Sequence, residues 1–333
     1  MKLLPIWPPA AVIGTHAFMS ADLYAHLTAT ILAQLETADH GTWSPPWHGA
    51  DPLPRNALTG RRYRGLNILA LWVAAQRSGY PDARWATCRQ WAALGAQVRK
   101  AERGTAILFY KDQPADAEAE DTPGTPSPRF VARVSHVFNA AQVDGAPDQA
   151  GSEGVVAGPA PDMASEAVLA GFLAATGAIV VSGGSRASYR PSTDTIHLPA
   201  RAAFLSSAGY AATLTHELIH WTGAAHRLAR DLTGCFGSRT YASEELIAEL
   251  GAAFVLGDLG LDRSPHPDHA AYCAAWLPLL RADPHALATA ATQASRASAY
   301  LAELRLAAMD GSLTTPSLSP GAASATSTLW QAA

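Results

Sequence analysis

Residues 213–223 read Thr213-Leu214-Thr215-His216-Glu217-Leu218-Ile219-His220-Trp221-Thr222-Gly223, and this stretch decides how the second half of the chain is interpreted. It contains no proline, and its apolar residues recur at the i, i+4, i+7 spacing of one helical face: Leu214, Leu218 and Trp221. His216 and His220 are four residues apart, so both imidazoles leave the same face about one turn apart. Two ring nitrogens at that separation can bind one divalent cation, usually zinc.

Glu217 follows the first histidine of this helix and can reach a water beside the metal without being a ligand itself. This H-E-x-x-H order is the zincin arrangement, in which the metal acidifies water and the glutamate acts as general base. The sequence therefore predicts a catalytic Glu217 and a Zn²⁺ site, with another divalent metal such as Mn²⁺ as the alternative.

Two places downstream offer a third metal ligand. His226 lies at the metzincin spacing after His220, but the methionine turn of that pattern is missing, since the only later methionine is Met309. The other candidates are Glu245 and Glu249, at i and i+4 on one face of a predicted helix rich in alanine and apolar residues. Buried carboxylates need partners. Glu245 is therefore the preferred ligand, and Glu249 is expected to orient a ligand histidine without binding the metal. Glu249 and His226 stay open as alternatives for the third ligand.

Positive charge is concentrated in residues 55–111, which contain eleven lysines and arginines but only two acidic residues, although the chain carries a net charge of −4. Aromatic residues are interleaved with these cations. Arginines that track phosphates beside aromatic rings that stack on bases are typical of single-strand binding. A buried aromatic core under a solvated basic face is the competing interpretation of the same pattern.

Length and composition favour two domains in 333 residues without a membrane span, and hence no membrane partner. Met19 offers a second start, so residues 1–18 are interpreted as an upstream extension, in which we expect no structure. The predicted units are an α+β domain at 19–143, a linker at 144–161, a mainly helical domain with a short sheet at 162–310, and a disordered tail at 311–333. Three widely spaced cysteines argue against a disulfide framework and favour the cytoplasm.

The elements expected within these units follow from local patterns. Helices are predicted at 23–36, 66–76, 87–94, 163–176, 244–250, 268–277 and 286–309, and strands at 106–110, 130–138, 178–181, 188–190 and 195–199. An acidic, proline-rich loop is predicted at 112–128. His197 falls in a strand, where we expect a structural role.

Both halves resemble one family, the ArdC-type antirestriction proteins of plasmids and other mobile elements. In the first half the resemblance rests on the runs at 56–67, 84–104 and 137–143, which include Thr59-Gly60, Tyr63-Arg64-Gly65 and Gln97-Val98-Arg99-Lys100. In the second half it rests on 216–223, 227–228, 236–238, 241–254 and 268–272. One departure is Ala101, which stands where the family pattern has glycine.

This resemblance implies a single-stranded-DNA-binding domain followed by a zincin-like metallopeptidase domain, and a role in protecting incoming DNA from host restriction. The residues expected at phosphates are Arg61, Arg62, Arg64, Arg99 and Lys100, and those expected to stack on bases are Tyr63 and Trp85. Two other readings stay open: a DNA-tethered zinc protease that acts on a host or DNA-bound protein, and a structural metal site without turnover. Candidates for the oxyanion stabiliser are Tyr189, Tyr241 and His226.

Overall fold

The computed structural model describes residues 15–37, 45, 47–48, 52–112, 130–147, 162–235, 237–263 and 269–310. Below, the first half means the described residues up to 147, and the second half means those from 162 onward. Most of the predicted extension, acidic loop and linker, and the whole predicted tail after 310, lie outside the described residues. Among the helices that are described, none is long and apolar enough to cross a membrane.

Helices dominate the second half, and three small sheets are divided between the halves. The described helices are α1 (Thr15–Thr37), α2 (Leu66–Ser78), α3 (Cys88–Ala93), α4 (Asp162–Thr176), α5 (Ser207–Thr222), α6 (Arg239–Leu259), α7 (His269–Ala282) and α8 (Ala286–Met309). The described strands are β1 (Arg55–Asn56), β2 (Arg84–Ala86), β3 (Gln97–Val98), β4 (Thr105–Asp112), β5 (Phe130–Asn139), β6 (Val143–Asp144), β7 (Ile179–Ser182), β8 (Ser188–Arg190) and β9 (Thr195–Leu198). The predicted α+β class is confirmed.

The sheets follow the local patterns of the sequence. In the first half the strand order is β1-β2-β5-β4, and β3 pairs separately with β6. In the second half β9 lies between β7 and β8, pairing parallel with β7 and antiparallel with β8. Asp144, the first residue of the predicted linker, pairs with Gln97, so β6 lies in a sheet with β3 of the first half.

Helix α1 begins earlier than the sequence analysis expected. It starts at Thr15, so residues 15–18 are helical rather than part of an unstructured extension. No proline or glycine lies between Thr15 and Thr37, whereas Gly14 immediately precedes the helix. Its predicted apolar stripe is buried, with Leu27, Ile31 and Leu35 at most 5% exposed.

Ala101, the departure from the family pattern, has a φ of +69°. This is the left-handed region, which costs an L-residue with a Cβ roughly 1 kcal/mol and costs glycine nothing. The turn between β3 and β4 therefore explains why glycine fits this position better than alanine.

Helices α5 and α6 pack closely enough to hold their side chains opposite one another. Ser206 caps α5 by accepting a hydrogen bond from the Gly209 amide, and Ser238 caps α6 in the same way. At Gly251 a Cβ would lie 2.8 Å from Ile219 Cδ1. The missing side chain thus permits the close helix contact that brings the predicted ligands of both helices together.

The two halves share one buried core, although the sequence predicts two separate domains. Trp72 of α2 lies against Phe254 of α6, with ring centroids 5.8 Å apart. Arg263 is buried between the halves, where its guanidinium lies 4.5 Å from the Trp72 ring centroid and its Nε donates to the Trp47 carbonyl at 2.8 Å. The boundaries 19–143 and 162–310 stay predictions, but the halves are packed as one unit.

Candidate metal centre

Helix α5 presents His216 and His220 as the i, i+4 spacing predicts. Their Nε2 atoms lie 3.1 Å apart, and both side chains are buried at 1% and 5% exposure. The helix is buried along its last three turns, because Leu214, Leu218 and Trp221 pack into the shared core. Both imidazoles therefore point in one direction from a rigid element.

Glu245 of α6 faces the two imidazoles. Its Oε2 lies 3.1 Å from His216 Nε2 and 3.8 Å from His220 Nε2. One ligand atom from each of the three residues falls within 4.8 Å of the others, and all three side chains are buried. Two imidazole nitrogens and one carboxylate oxygen are the donor set of many catalytic zinc sites, so these residues fit a divalent metal.

His226 lies outside this cluster, which contradicts the metzincin alternative. Its side chain is 64% exposed, and its Nε2 accepts from Arg227 Nη1 at 2.6 Å. Arg227 in turn lies 3.7 Å from the Trp221 ring centroid. His226 is therefore exposed beside Arg227 and is not grouped with the buried residues His216, His220 and Glu245. Met309, the only later methionine, is 73% exposed at the end of α8.

The charges in the cluster stabilise each other. Burial raises the pKa of Glu245, but hydrogen bonds to His216 and His220 outweigh this effect and hold that pKa well below its usual range. Burial lowers the pKa of His220, whereas its hydrogen bonds to Glu244 and Glu245 raise it to about 10. The carboxylates of Glu244 and Glu245 therefore favour positive charge at this cluster.

Glu244 supports His220 from behind, a role that the sequence analysis missed. Its Oε1 lies 3.1 Å from His220 Nδ1, so the Nε2 atom of this ring is left to face the cluster. Arg230 donates to both oxygens of Glu244, at 2.8 Å and 3.0 Å, and also to the Ile219 carbonyl at 2.6 Å. These bonds outweigh burial and lower the pKa of Glu244. The sequence signal that could have revealed this role is Glu244 itself, a third glutamate in a helix rich in alanine and apolar residues.

Glu249 lies near His216, but its short hydrogen bond is with a residue from the first half. Its Oε2 is 3.9 Å from His216 Nδ1, and its Oε1 is 2.7 Å from His48 Nε2. His48 and Glu249 are 5% and 4% exposed. No local pattern around His48 signals this contact, because 201 residues separate the two partners.

Glu217 has the surroundings expected of a general base. Its side chain is 4% exposed, and burial raises its pKa although the two neighbouring imidazoles oppose the shift. Its carboxylate also accepts a hydrogen bond from the backbone N–H of Tyr189 in β8. A raised pKa increases the ability of a carboxylate to take a proton from water.

The oxyanion candidates are placed differently from one another. Tyr189 donates to Asp194 Oδ1 at 2.8 Å and accepts from Arg227 at 3.3 Å, so its hydroxyl is already engaged. Burial and Asp194 raise the pKa of Tyr189. Tyr241 is buried in α6 at 2% exposure. His226 is exposed and lies outside the cluster, as described above. His197 lies in β9 with its Nε2 3.1 Å from Thr195 Oγ1, in keeping with a structural role.

The residues predicted to contact phosphates are exposed: Arg61, Arg62, Arg64, Arg99 and Lys100. Two of them have anionic partners, since Arg62 pairs with Asp258 and Arg99 donates to Glu102 at 2.9 Å.

The two predicted stacking residues are not exposed rings. Trp85 is 1% exposed in β2, which lies between β1 and β5, and it packs against Tyr80. Tyr63 donates its hydroxyl proton to the Trp85 carbonyl at 3.1 Å. The expectation that Trp85 stacks on bases is therefore wrong, because the ring is buried in a core cluster with Leu71, Ile107 and Val137. Phe109 of the edge strand β4, which the sequence analysis treated only as part of a strand, is 57% exposed.

Family models match the two halves separately. The model described as the N-terminal domain of anti-restriction factor ArdC matches residues 21–138, and the model described as a zincin-like metallopeptidase matches residues 167–293. The chain is also similar to two crystal structures of the antirestriction ArdC protein from plasmid R388, one metal-free and one Mn(II)-bound. They have TM-scores of 0.68 and 0.69, sequence identities of 38% and 37%, and cover 86% and 85% of this chain and 98% of the ArdC chain.

Three curated relatives match most of this chain, although the match covers very different shares of their own lengths. The uncharacterized protein y4eC of Sinorhizobium fredii (strain NBRC 101917 / NGR234) is 41% identical over 84% of this chain and 91% of its own length. Two DNA primases TraC of Escherichia coli are 40% and 39% identical over 81% and 80% of this chain. Those two matches span only 19% and 26% of the primases.

Proposed function

The chain belongs to the ArdC antirestriction family, and from this membership we propose that it binds single-stranded DNA of a mobile element and protects that DNA from restriction. The proposed place of action is the cytoplasm of the cell that receives the DNA. The observation that carries the proposal is the exposed cationic surface of the half that matches the ArdC N-terminal model. Arg61, Arg64 and Lys100 are exposed there and form no ion pair among the described residues. Exposed cations of this kind are free to neutralise phosphates.

A fluorescence-anisotropy titration of the full chain tests the binding step. Labelled single-stranded and duplex DNA of one sequence are compared over a range of salt concentrations. We expect a preference for the single strand and a log–log salt slope of about −0.7 per phosphate neutralised. Combined replacement of Arg61, Arg64 and Lys100 by alanine weakens binding and flattens that slope, whereas Arg190→Ala, at an exposed arginine of β8, leaves both unchanged. A salt-independent affinity would exclude this function.

The second half is proposed to be a metallopeptidase centre in which His216, His220 and Glu245 hold Zn²⁺, or another divalent metal such as Mn²⁺. When bound, the metal supplies Lewis acidity. Glu217 accepts the proton of the attacking water, and burial of its carboxylate favours that transfer. Glu244 orients His220, and Glu249 lies behind His216. The substrate of this centre is a peptide bond, which makes a DNA-tethered protease the second candidate function.

Two variants separate a hydrolytic centre from a structural metal site. Glu217→Gln is expected to keep metal affinity and thermal stability but to abolish both peptide cleavage and any protection that depends on it. His216→Ala is expected to lose metal binding. If Glu217→Gln keeps full protection of plasmid DNA entering a restricting host, hydrolysis is not required and the metal has a structural role. If this variant also loses metal, the assignment of Glu217 as a base beside the ligands is wrong.

A further inference from the structure

A cavity of about 600 Å³ lies between the two halves, and none of the candidate metal ligands is among the residues that line it. From the first half it is lined by Arg64, Leu66 and Leu108, and from α8 by Ala288, Gln293 and Arg296. Its walls are held in place by specific bonds. The Gly65 amide donates to Ser295 Oγ at 2.6 Å, and Asn67 exchanges two hydrogen bonds with the backbone of Leu108 at 2.7 Å and 2.8 Å. The cavity is therefore a preformed feature of the interface between the halves.

The charge of this lining selects an anion. The chain has more acidic than basic residues, yet none of the residues that line the cavity is an aspartate or a glutamate. Arg64 and Arg296 enter from opposite halves, both are exposed, and neither forms an ion pair with a described residue. Two arginines that line one cavity and form no ion pair with a described residue can bind an anion there, because each guanidinium presents several N–H donors in one plane.

The rest of the cavity lining is suited to a nucleobase. Leu66, Leu108 and Ala288 are at most 8% exposed and form an apolar wall, while the Gln293 amide supplies polar contacts at the edge. A cavity of 300–1,000 Å³ with a mainly apolar wall and a few polar groups is of the size that binds small organic molecules. A phosphate next to a flat, partly apolar group is the chemistry of a nucleotide.

A neighbouring cavity contains carboxylates and so limits the anion-binding region to the first cavity. It shares Thr289, Gln293 and Arg296 of α8 with the first cavity, but its lining also includes Asp231, Glu244 and Asp283. These carboxylates balance the local arginines, two of which are already paired with Glu244 and Asp283. An anionic strand is thus attracted to the first cavity and gains nothing by continuing into the second.

We propose that the cavity bounded by Arg64 and Arg296 binds one nucleotide of the single strand, so that α8 of the metallopeptidase half forms part of the DNA-binding surface. This inference rests on the proposed DNA-binding function. It extends the surface from the first half, through Arg64, to a helix that the sequence analysis assigned to the other half.

Arg296→Ala in the full chain tests this directly by anisotropy with a labelled oligothymidylate. We expect an affinity loss of about tenfold, the size of one lost charge-assisted hydrogen bond, and a salt slope smaller by about 0.7. Arg296→Lys is expected to keep the slope, and the matched control Arg190→Ala to keep both affinity and slope. Arg296 makes no described ion pair, so these variants are expected to fold as the wild type does.

A second pair of variants tests the base rather than the phosphate. Ala299→Phe places a ring in the cavity and is expected to lower the affinity without changing the salt slope, whereas Ala308→Phe, on the exposed end of α8, has no effect. Competition with thymidine monophosphate distinguishes a strand from a free nucleotide. We expect the mononucleotide to compete only weakly.

The outcomes separate this inference from the function on which it rests. If Arg296→Ala binds DNA as tightly as the wild type, or if Arg190→Ala loses as much affinity as Arg296→Ala, the cavity site is overturned and DNA binding stays in place. A mononucleotide that binds as tightly as the oligonucleotide, in an Arg296-dependent manner, overturns the strand as its occupant. Absence of any binding by the wild type overturns both proposals.

Discussion

Replacement of Glu244 by glutamine is the sharpest test of how the candidate metal centre is supported. Glu244 is 3% exposed and holds His220 Nδ1 at 3.1 Å while it accepts from Arg230 with both oxygens. Glutamine has nearly the same size, but one of its two terminal atoms is a donor. It therefore cannot accept from Arg230 on both sides and from His220 as well.

The expected losses of metal affinity and stability follow from the two partners of Glu244, His220 and Arg230, which each lose a hydrogen bond or ion pair. Loss of a hydrogen-bond partner behind a metal-ligating histidine typically lowers metal affinity 10- to 100-fold. Breaking a buried ion pair costs about 3–5 kcal/mol, because a charge is left uncompensated. Arg230 keeps its hydrogen bonds to the Ile219 carbonyl and to Thr222 Oγ1, at 2.6 Å and 2.9 Å. We therefore expect a stability loss near the lower end of that range, about 3 kcal/mol.

Two measurements check this prediction. Chelator competition gives the Zn²⁺ affinity, and urea denaturation of the metal-free protein gives the free energy of unfolding. Glu303→Gln, at an exposed glutamate of α8, is the control and should change neither quantity. Metal affinity within twofold of the wild type in Glu244→Gln would refute the reasoning that Glu244 orients a metal ligand. Unchanged stability would refute the role assigned to the buried pair with Arg230.

Four further predictions follow from the same structure. His48→Ala, which removes the 2.7 Å bond to Glu249, should lower metal affinity and destabilise the fold by about 1.5–3 kcal/mol, with partial rescue by His48→Gln; chelator competition and urea denaturation measure both. Hydrogen bonds from Arg227 outweigh burial and lower the pKa of Asp194, so its contribution to stability is complete above its ordinary pKa and is lost as the pH falls through the lowered value. The stability advantage of the wild type over Asp194→Asn should accordingly be constant near neutral pH and shrink under acid conditions, and an advantage that grows on acidification would contradict it. Ala101→Gly should raise the free energy of unfolding by up to about 1 kcal/mol, because φ is +69° there, and a loss of stability would show that chain entropy dominates. Saturation with Zn²⁺ at 100 times its Kd should stabilise the wild type by about 2.7 kcal/mol, and no rise in the thermal midpoint would argue against the site.

Short-range patterns were sufficient for the elements and for part of the site. The helical spacing of Leu214, Leu218 and Trp221 predicted α5, and the four-residue interval between His216 and His220 predicted that their rings meet. Helix α8 was predicted with both of its ends correct. These features depend on backbone geometry within a few turns, which is the same in any protein, and so they can be read from sequence.

The direction of aromatic side chains could not be read in this way. Trp85 lies among arginines in the sequence, but its ring is buried in a core cluster with Leu71, Ile107 and Val137. Alternation along a three-residue strand is too short to show which face is buried. The position of the strand within the sheet, and hence the burial of the ring, depends on pairing with β5 more than 50 residues away.

The sequence by itself determined the chemistry of the site, namely two imidazoles one turn apart, a glutamate between them and further glutamates on a later helix. Only the tertiary structure decided what each glutamate does. The close packing of α5 on α6 turns Glu245 toward both rings, aligns Glu244 with Arg230, and lets His48 reach Glu249 from the other half. Such roles depend on distances between helices of about 3–4 Å at the side-chain tips, and these distances are fixed by the packing of the shared core, which no local pattern encodes.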